Sequence, residues 1–286
     1  MLAKIGILIF FLWFQMEMAH GQNLYVFSVI ETNAAKRPNK ILDAERLRAF
    51  TTEIAKYGNY TLHWYDFGDS ANFTPQVIRK TIETFSPRSS EIDMIWFYYA
   101  GKGYCDGPKA WPTLQLNGGD LPVRDLLARF RAKPVRTLLV TADCNNKPSH
   151  SSSLFENDER TVSTQQFVST IVRPTVTNPA LTDLPDMTIV ATYESLFKAK
   201  DLRQIIIMTS ANRGQRAYSS LKQGSVWLMA FTHAVSNLIK SQSYGQSPWK
   251  YVQENIVQIT QSKTKNRQTP LISRQTITCC ETESTN

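Results

Sequence analysis

The chain has 286 residues, 42% hydrophobic and 20% charged, which is enough apolar material to bury a sizeable core. Its 32 Lys and Arg against 24 Asp and Glu leave a net charge of +8. These basic residues are scattered, without a dense block, so the excess reads as solvated surface charge with a mild preference for acidic surfaces; a nucleic-acid site is excluded.

The first elements concern export. Lys4 precedes an apolar stretch from Ile5 to Phe14, and Ala19-His20-Gly21 follows with small residues at the spacing a signal peptidase accepts. Gln15 and Glu17 cut the apolar run too short to cross a bilayer, and no later segment is long and apolar enough. Residues 1–21 are therefore expected to be a secretory signal peptide, and the mature protein to be extracellular, with no stable membrane span. Lys4 and Glu17 cancel, so the mature chain keeps its charge of +8. Its length suits one α/β domain with a long insertion. Asn59-Tyr60-Thr61 and Asn72-Phe73-Thr74 are glycosylation sequons, in keeping with secretion.

Apolar runs then alternate with helical periodicity. Leu24 to Ile30 is a run of β-formers, and Leu47, Phe50, Ile54 and Tyr57 fall at helical spacing. Tyr60 to Phe67 reads as a second strand. Thr74-Pro75 is an N-cap with Pro in the first turn, and Val77, Ile78, Ile82 and Phe85 form that helix's apolar face. Ile92 to Tyr99 is a third strand, apolar and aromatic throughout, as the buried middle of a parallel sheet requires. Val123, Leu126, Leu127 and Phe130 mark a short helix, and Val135 to Ala142 a fourth strand. This alternation predicts an α/β fold, with a mostly parallel central sheet and helices on both faces.

From about 147 to 200 the pattern breaks. The stretch is rich in Ser, Thr, Pro and Asn, with one apolar run at Met187 to Val190, and is expected to be a long loop insertion. Gln204 to Met208 restores a fifth strand. Two amphipathic helices follow, one presenting Leu228, Phe231, Val235 and Leu238, the other Val252, Ile256 and Ile259. Beyond Pro270 there is little periodicity. The expected organisation is a leader over 1–21, a domain over 22–275 and a tail over 276–286.

The four cysteines are Cys105, Cys144, Cys279 and Cys280, and an even count in a secreted chain permits disulfides. Cys105 and Cys144 follow neighbouring strands, which makes a bridge between them one candidate. A bond between the adjacent Cys279 and Cys280 would be strained, so a bridge elsewhere or between chains is the better candidate for them. No zinc spacing is present and histidines are few, so no metal is expected. There is no Gly-rich phosphate loop, and no cofactor is expected.

Two strand-ends carry the functional signal. Tyr99-Ala100-Gly101-Lys102-Gly103 closes the third strand and Ala142-Asp143-Cys144-Asn145-Asn146 closes the fourth. In open parallel sheets, functional groups gather at the carboxyl ends of strands. The two segments resemble the catalytic strand-ends of the caspase and metacaspase clan of cysteine peptidases, which read Tyr-Ser-Gly-His-Gly and Asp-x-Cys. The resemblance extends over most of residues 24–272. Asp93 to Tyr99 resembles the strand leading to the catalytic His. Trp111-Pro112 with the following helix resembles the segment between the catalytic pair. Ile206 to Ala217, with Ser210 and Gly214-Gln215, resembles part of the substrate groove, and Gln268-Thr269-Pro270 the closing motif. It implies a caspase-like three-layer sandwich.

In this comparison Lys102 stands at the place of the general-base His, and Asn145 at that of the nucleophilic Cys. Protonated Lys has no acceptor, and an amide is no useful nucleophile. The resemblance thus implies a peptidase homologue that has lost its dyad and acts by binding a peptide or protein: a decoy, or a regulator of an active homologue or an inhibitor. The alternative is an active cysteine endopeptidase using Cys144, with His150 as base. Apart from the leader, the histidines are His63, His150 and His233, none in a Gly-His-Gly context. In metacaspases the Asp two residues before the Cys helps bind a basic P1 side chain. Asp143 occupies that place, as a substrate-binding residue or as a cap of backbone groups at a strand end.

Overall fold

A computed structural model describes residues 21–32, 38–69, 71–88, 93–105, 111–148, 186–199, 202–241 and 247–278. Its centre is a six-stranded sheet in the order β11-β8-β7-β3-β1-β2. The strands are β1 (Gln22–Ile30), β2 (Tyr60–Asp66), β3 (Met94–Ala100), β7 (Thr137–Asp143), β8 (Leu202–Thr209) and β11 (Leu271–Thr278). All pair in parallel except β11, which runs antiparallel to β8 along one edge.

Alternation along the strands divides the core into two layers. On one face lie Leu24 and Val26 of β1 with Met94, Trp96 and Tyr98 of β3. Helices α1 (Pro38–Gly58), α4 (Asp186–Phe197), α5 (Val226–Ser241) and α6 (Pro248–Thr264) cover this face, with Phe50, Tyr193, Phe231 and Trp249 among the buried residues. On the other face Tyr25, Phe27, Ile95, Phe97 and Tyr99 meet α2 (Pro75–Thr84) and α3 (Val123–Arg131) through Ile78, Ile82, Leu126 and Phe130. The expected α/β sandwich with a mostly parallel sheet is thus the observed fold.

The local signals operate as the sequence implies. Thr74 accepts a hydrogen bond from the Val77 amide (3.3 Å) and Pro75 begins α2. Every residue of β3 is buried, as a strand covered by helices on both faces must be.

Two expectations are corrected. The stretch read as a long loop insertion with one short apolar run contains α4, whose Ile189, Tyr193, Leu196 and Phe197 are buried against the sheet. The region after Pro270 holds the edge strand β11, which reaches Thr278 and so passes the expected domain limit of 275. Between β3 and α3 lies a small antiparallel sheet of β4 (Gly103–Tyr104), β5 (Thr113–Leu116) and β6 (Gly119–Pro122). A hairpin of β9 (Ser219–Ser220) and β10 (Gly224–Ser225) precedes α5. Among the described residues no helix is long and apolar enough to cross a membrane, and no group of His, Cys, Asp or Glu could hold a metal ion.

Candidate functional site

The parallel register of β3 and β7 places Ala100 opposite Asp143, so the two loops leave the sheet side by side. Their backbones are joined by the Gly101 amide donating to the Asp143 carbonyl (3.3 Å) and the Cys105 amide donating to the Lys147 carbonyl (2.7 Å). Lys102 and Asn145 therefore sit on adjacent loops at the carboxyl edge, where the sequence puts them.

Their environments differ. Lys102 is exposed, and its carbonyl accepts from the Gln115 amide (3.0 Å) and the Tyr99 hydroxyl. Asn145 is half-buried, and its Oδ1 accepts from the Ala217 amide (2.9 Å). The neighbouring Asn146 donates through its amide to the Gln215 carbonyl (3.0 Å), and its own carbonyl accepts from Gly214 (2.7 Å). Gln268, fully buried, donates to the Ser210 carbonyl (2.8 Å) and accepts from the Tyr218 amide (3.0 Å). The Thr269 amide donates to Gln215 Oε1 (2.7 Å). The segments around Ser210, Gly214-Gln215 and Gln268-Thr269 are thus brought together with Asn145 in one polar network. Asn145 acts in it as a bracket between the β7 and β8 loops.

Cys144 points the other way, into the core. It is 1% exposed, and burial pushes its thiol pKa well up; the field of Asp143 adds to the rise and Lys40 opposes it. Such a thiol is held protonated, the opposite of what a nucleophile needs. Gly103 is the reason it fits: a Cβ there would lie 2.5 Å from Cys144 Sγ and 3.0 Å from the Asn145 carbonyl oxygen. Gly103→Ala is expected to cost about 1–3 kcal/mol through overpacking. A thermal melt of the variant reads the loss, and an unchanged midpoint would refute this packing.

Cys105 and Cys144 are both buried free thiols, so the candidate bridge between them is not formed. Cys279, Cys280 and His150 lie outside the described residues.

Neither described histidine is at this edge. His63 is in β2, stacked on Tyr25 near the start of β1, with Nε2 2.8 Å from Asn23 Oδ1. His233 lies on α5, where burial first, then Arg46, Lys263 and Lys240, lower its pKa. Asn59, in the turn between α1 and β2, is exposed with φ of 54°. Asn72 is half-buried, and its Nδ2 donates to Asp69 Oδ2 (2.8 Å).

Asp143 is 3% exposed, and the Tyr98 hydroxyl donates to its Oδ2 (3.3 Å). Close by, the first turns of α1 bring in a charged group that sequence reasoning missed. Asp43 Oδ2 lies 3.4 Å from Lys40 Nζ, and Asp43 Oδ1 accepts from the Ser225 amide (2.6 Å). Burial raises the Asp43 pKa, Lys40 lowers it and Asp143 raises it further. Tyr98 is pushed well up by burial, and by Asp143 and Asp43. The only sequence signal was two opposite charges one turn apart, which is common on solvated helices.

The family model described as Caspase domain matches residues 21–280. A protein from Geobacter sulfurreducens with a solved crystal structure is similar at a TM-score of 0.51 and 16% identity, covering 91% of this chain and 95% of its own. Caspase-1 from Spodoptera frugiperda is similar at a TM-score of 0.44 and 11% identity, covering 89% of this chain and 86% of its own. No curated protein matches the chain. The bacterial likeness, at so low an identity, bears on the fold alone. The domain match runs through every strand of the central sheet and both loops of the carboxyl edge, and by it the chain belongs to the caspase-domain family.

Proposed function

We propose that the chain is a secreted, catalytically inactive caspase-domain protein, similar to the metacaspase branch, which acts by binding a peptide or protein. It serves as a decoy for substrates or inhibitors, or as a regulator of an active homologue. The observation that carries this reading is at β7. The side chain at the nucleophile's place, Asn145, is a carboxamide tied to the Ala217 amide. The adjacent thiol, Cys144, is buried and held protonated. Lys102, at the place of the base, is a cation with nothing to accept a proton while charged. The surface loops keep the family's arrangement without its chemistry, which leaves recognition as their use.

Secretion rests on the apolar segment Ile5 to Phe14 with its small-residue boundary, and on the exposed sequon turn at Asn59. Glycosylation at Asn72 would require its amide to leave Asp69.

The test is thiol reactivity. Because the Cys144 pKa is raised, the native protein at pH 8 is expected to be alkylated at this site at least about 100-fold more slowly than a free cysteine. Full reactivity should return in denaturant. Thiol-directed peptide inhibitors should leave the native chain unlabelled. Rapid, stoichiometric labelling of native Cys144 would overturn the reading.

A further inference from the structure

The two edges of the central sheet are defended differently. The middle of β11 carries the exposed Arg274, a charge that discourages pairing with another strand. The opposite edge strand, β2, reads Tyr60-Thr-Leu-His-Trp-Tyr-Asp66. It has no Lys, Pro or Gly, and its one formal charge is Asp66 at the very end. Tyr60, Thr61, Trp64 and Tyr65 are strong β-formers. The register with β1 is continuous from Tyr60 to Asp66, so no bulge twists the edge away. Among the described residues β2 pairs only with β1, which leaves the outer side of the strand without a partner strand. An open edge of this composition is a template for pairing with another chain.

The strand also fits itself. Antiparallel pairing of two copies about a two-fold axis at His63 sets Tyr60 against Asp66, Thr61 against Tyr65 and Leu62 against Trp64. Pairs of an aromatic with a β-branched or apolar side chain stabilise a sheet. Asp66 meets Tyr60 and not the other Asp66, so like charges are not opposed. His63 meets its own copy. Burial and then Arg88 lower its pKa, against Asp93, so the imidazole is largely uncharged at neutral pH.

Asn59 stands at the end of this edge. It immediately precedes β2, is exposed, and holds a left-handed turn with φ of 54°, a conformation that Asn tolerates. It also heads the sequon Asn59-Tyr60-Thr61. In the self-paired register Asn59 would lie beside Phe67 of the second copy. A glycan there, bulky and hydrated, would fill the space that the second strand needs.

We propose that the β2 edge is a self-pairing surface for a second copy of this chain, and that an N-glycan on Asn59 keeps it unpaired. The guard rests on the secreted reading given above; the pairing does not.

Thr61 is exposed, so its variants separate the glycan from the edge with little effect on the core. In a glycosylating secretory host, the wild type and Thr61→Ser, which keeps the sequon, should be exported with a glycan on Asn59 and sediment as monomers. Thr61→Ala loses the sequon and keeps the edge. It should sediment as a dimer at about 100 µM, a concentration that populates a small strand-pairing interface. Thr61→Lys loses the sequon but places a cation on the edge, and should sediment as a monomer. Enzymatic trimming of the glycan on folded wild type should give the same dimer as Thr61→Ala. Hydrogen exchange locates the contact: amides within residues 61–66 should exchange at least about tenfold more slowly in the Thr61→Ala dimer than in Thr61→Lys. A monomeric Thr61→Ala, a dimeric glycosylated wild type, or slowed exchange at Arg274 to Thr276 in place of β2 would overturn the pairing. Export of wild type without a glycan on Asn59 would overturn the guard alone. A chain that is not exported would overturn the guard together with the secreted reading, and the pairing would then stand or fall on whether unglycosylated wild type made in bacteria forms the β2 dimer.

Discussion

Replacing Trp96 by Ala is expected to lower the unfolding free energy by about 3–5 kcal/mol, the range for removing a large aromatic side chain from a core. Trp96 is fully buried in the middle of β3. Its ring meets Phe50 of α1 edge-on at 5.8 Å and Phe231 of α5 at 5.9 Å, so one side chain ties the sheet to two helices. Its Nε1 also donates to Thr141 Oγ1 on β7 (3.0 Å), and the Thr141 hydroxyl donates to the Phe97 carbonyl (3.1 Å). Trp96→Phe keeps most of the packing but loses this hydrogen bond, and should cost about 1–2 kcal/mol. Urea titrations of both variants separate the terms, provided the m-value is unchanged. Equal losses would mean that the hydrogen bond, not the ring, dominates.

The second large effect is expected at Asp43. Asp43→Ala removes the acceptor of the Ser225 amide and the partner of Lys40, both buried. Breaking a buried pair by deleting one member typically costs about 3–5 kcal/mol, because the remaining charge is left uncompensated. The double variant Asp43→Ala/Lys40→Met should be more stable than Asp43→Ala alone, since it removes the cation that faced Asp43. A chevron or equilibrium cycle over the four proteins checks this. Strict additivity would show that Lys40 and Asp43 are not coupled.

The strands that build the sheet were the most legible part of the sequence. Met94–Ala100 is an unbroken apolar and aromatic run and Thr137–Asp143 a mostly apolar one, and both are buried along their whole length. Helix α4 escaped because Thr188, Ile189, Val190 and Thr192 are β-branched and weak helix formers. Burial of Ile189, Tyr193, Leu196 and Phe197 overrides that preference in the fold. Strand β11 escaped for another reason. It lies on the sheet edge, and its middle residues Arg274, Gln275 and Thr276 are exposed, so there is no second apolar face to announce it.

At the site, the strand-end segments were legible because the parallel register brings Ala100 and Asp143 together once β3 and β7 are neighbours. The bracket from Asn145 to Ala217 was half legible: both segments were singled out, but not their bond. The Lys40–Asp43 group was not, because what makes it unusual is burial by β10 and the sheet edge, a consequence of how α1 crosses the sheet. A lysine and an aspartate one turn apart look alike in sequence whether solvated or enclosed.

The central claim is that this caspase-domain chain has lost its peptidase chemistry, and turnover tests it most directly. Purified mature protein should be incubated with fluorogenic peptides carrying Arg, Lys or Asp before the scissile bond, with and without calcium. Cys144→Ala should be run in parallel. The account predicts no cleavage above buffer in either protein under any of these conditions. Cleavage by the wild type that disappears in Cys144→Ala would contradict it, and would make the buried thiol a nucleophile after all.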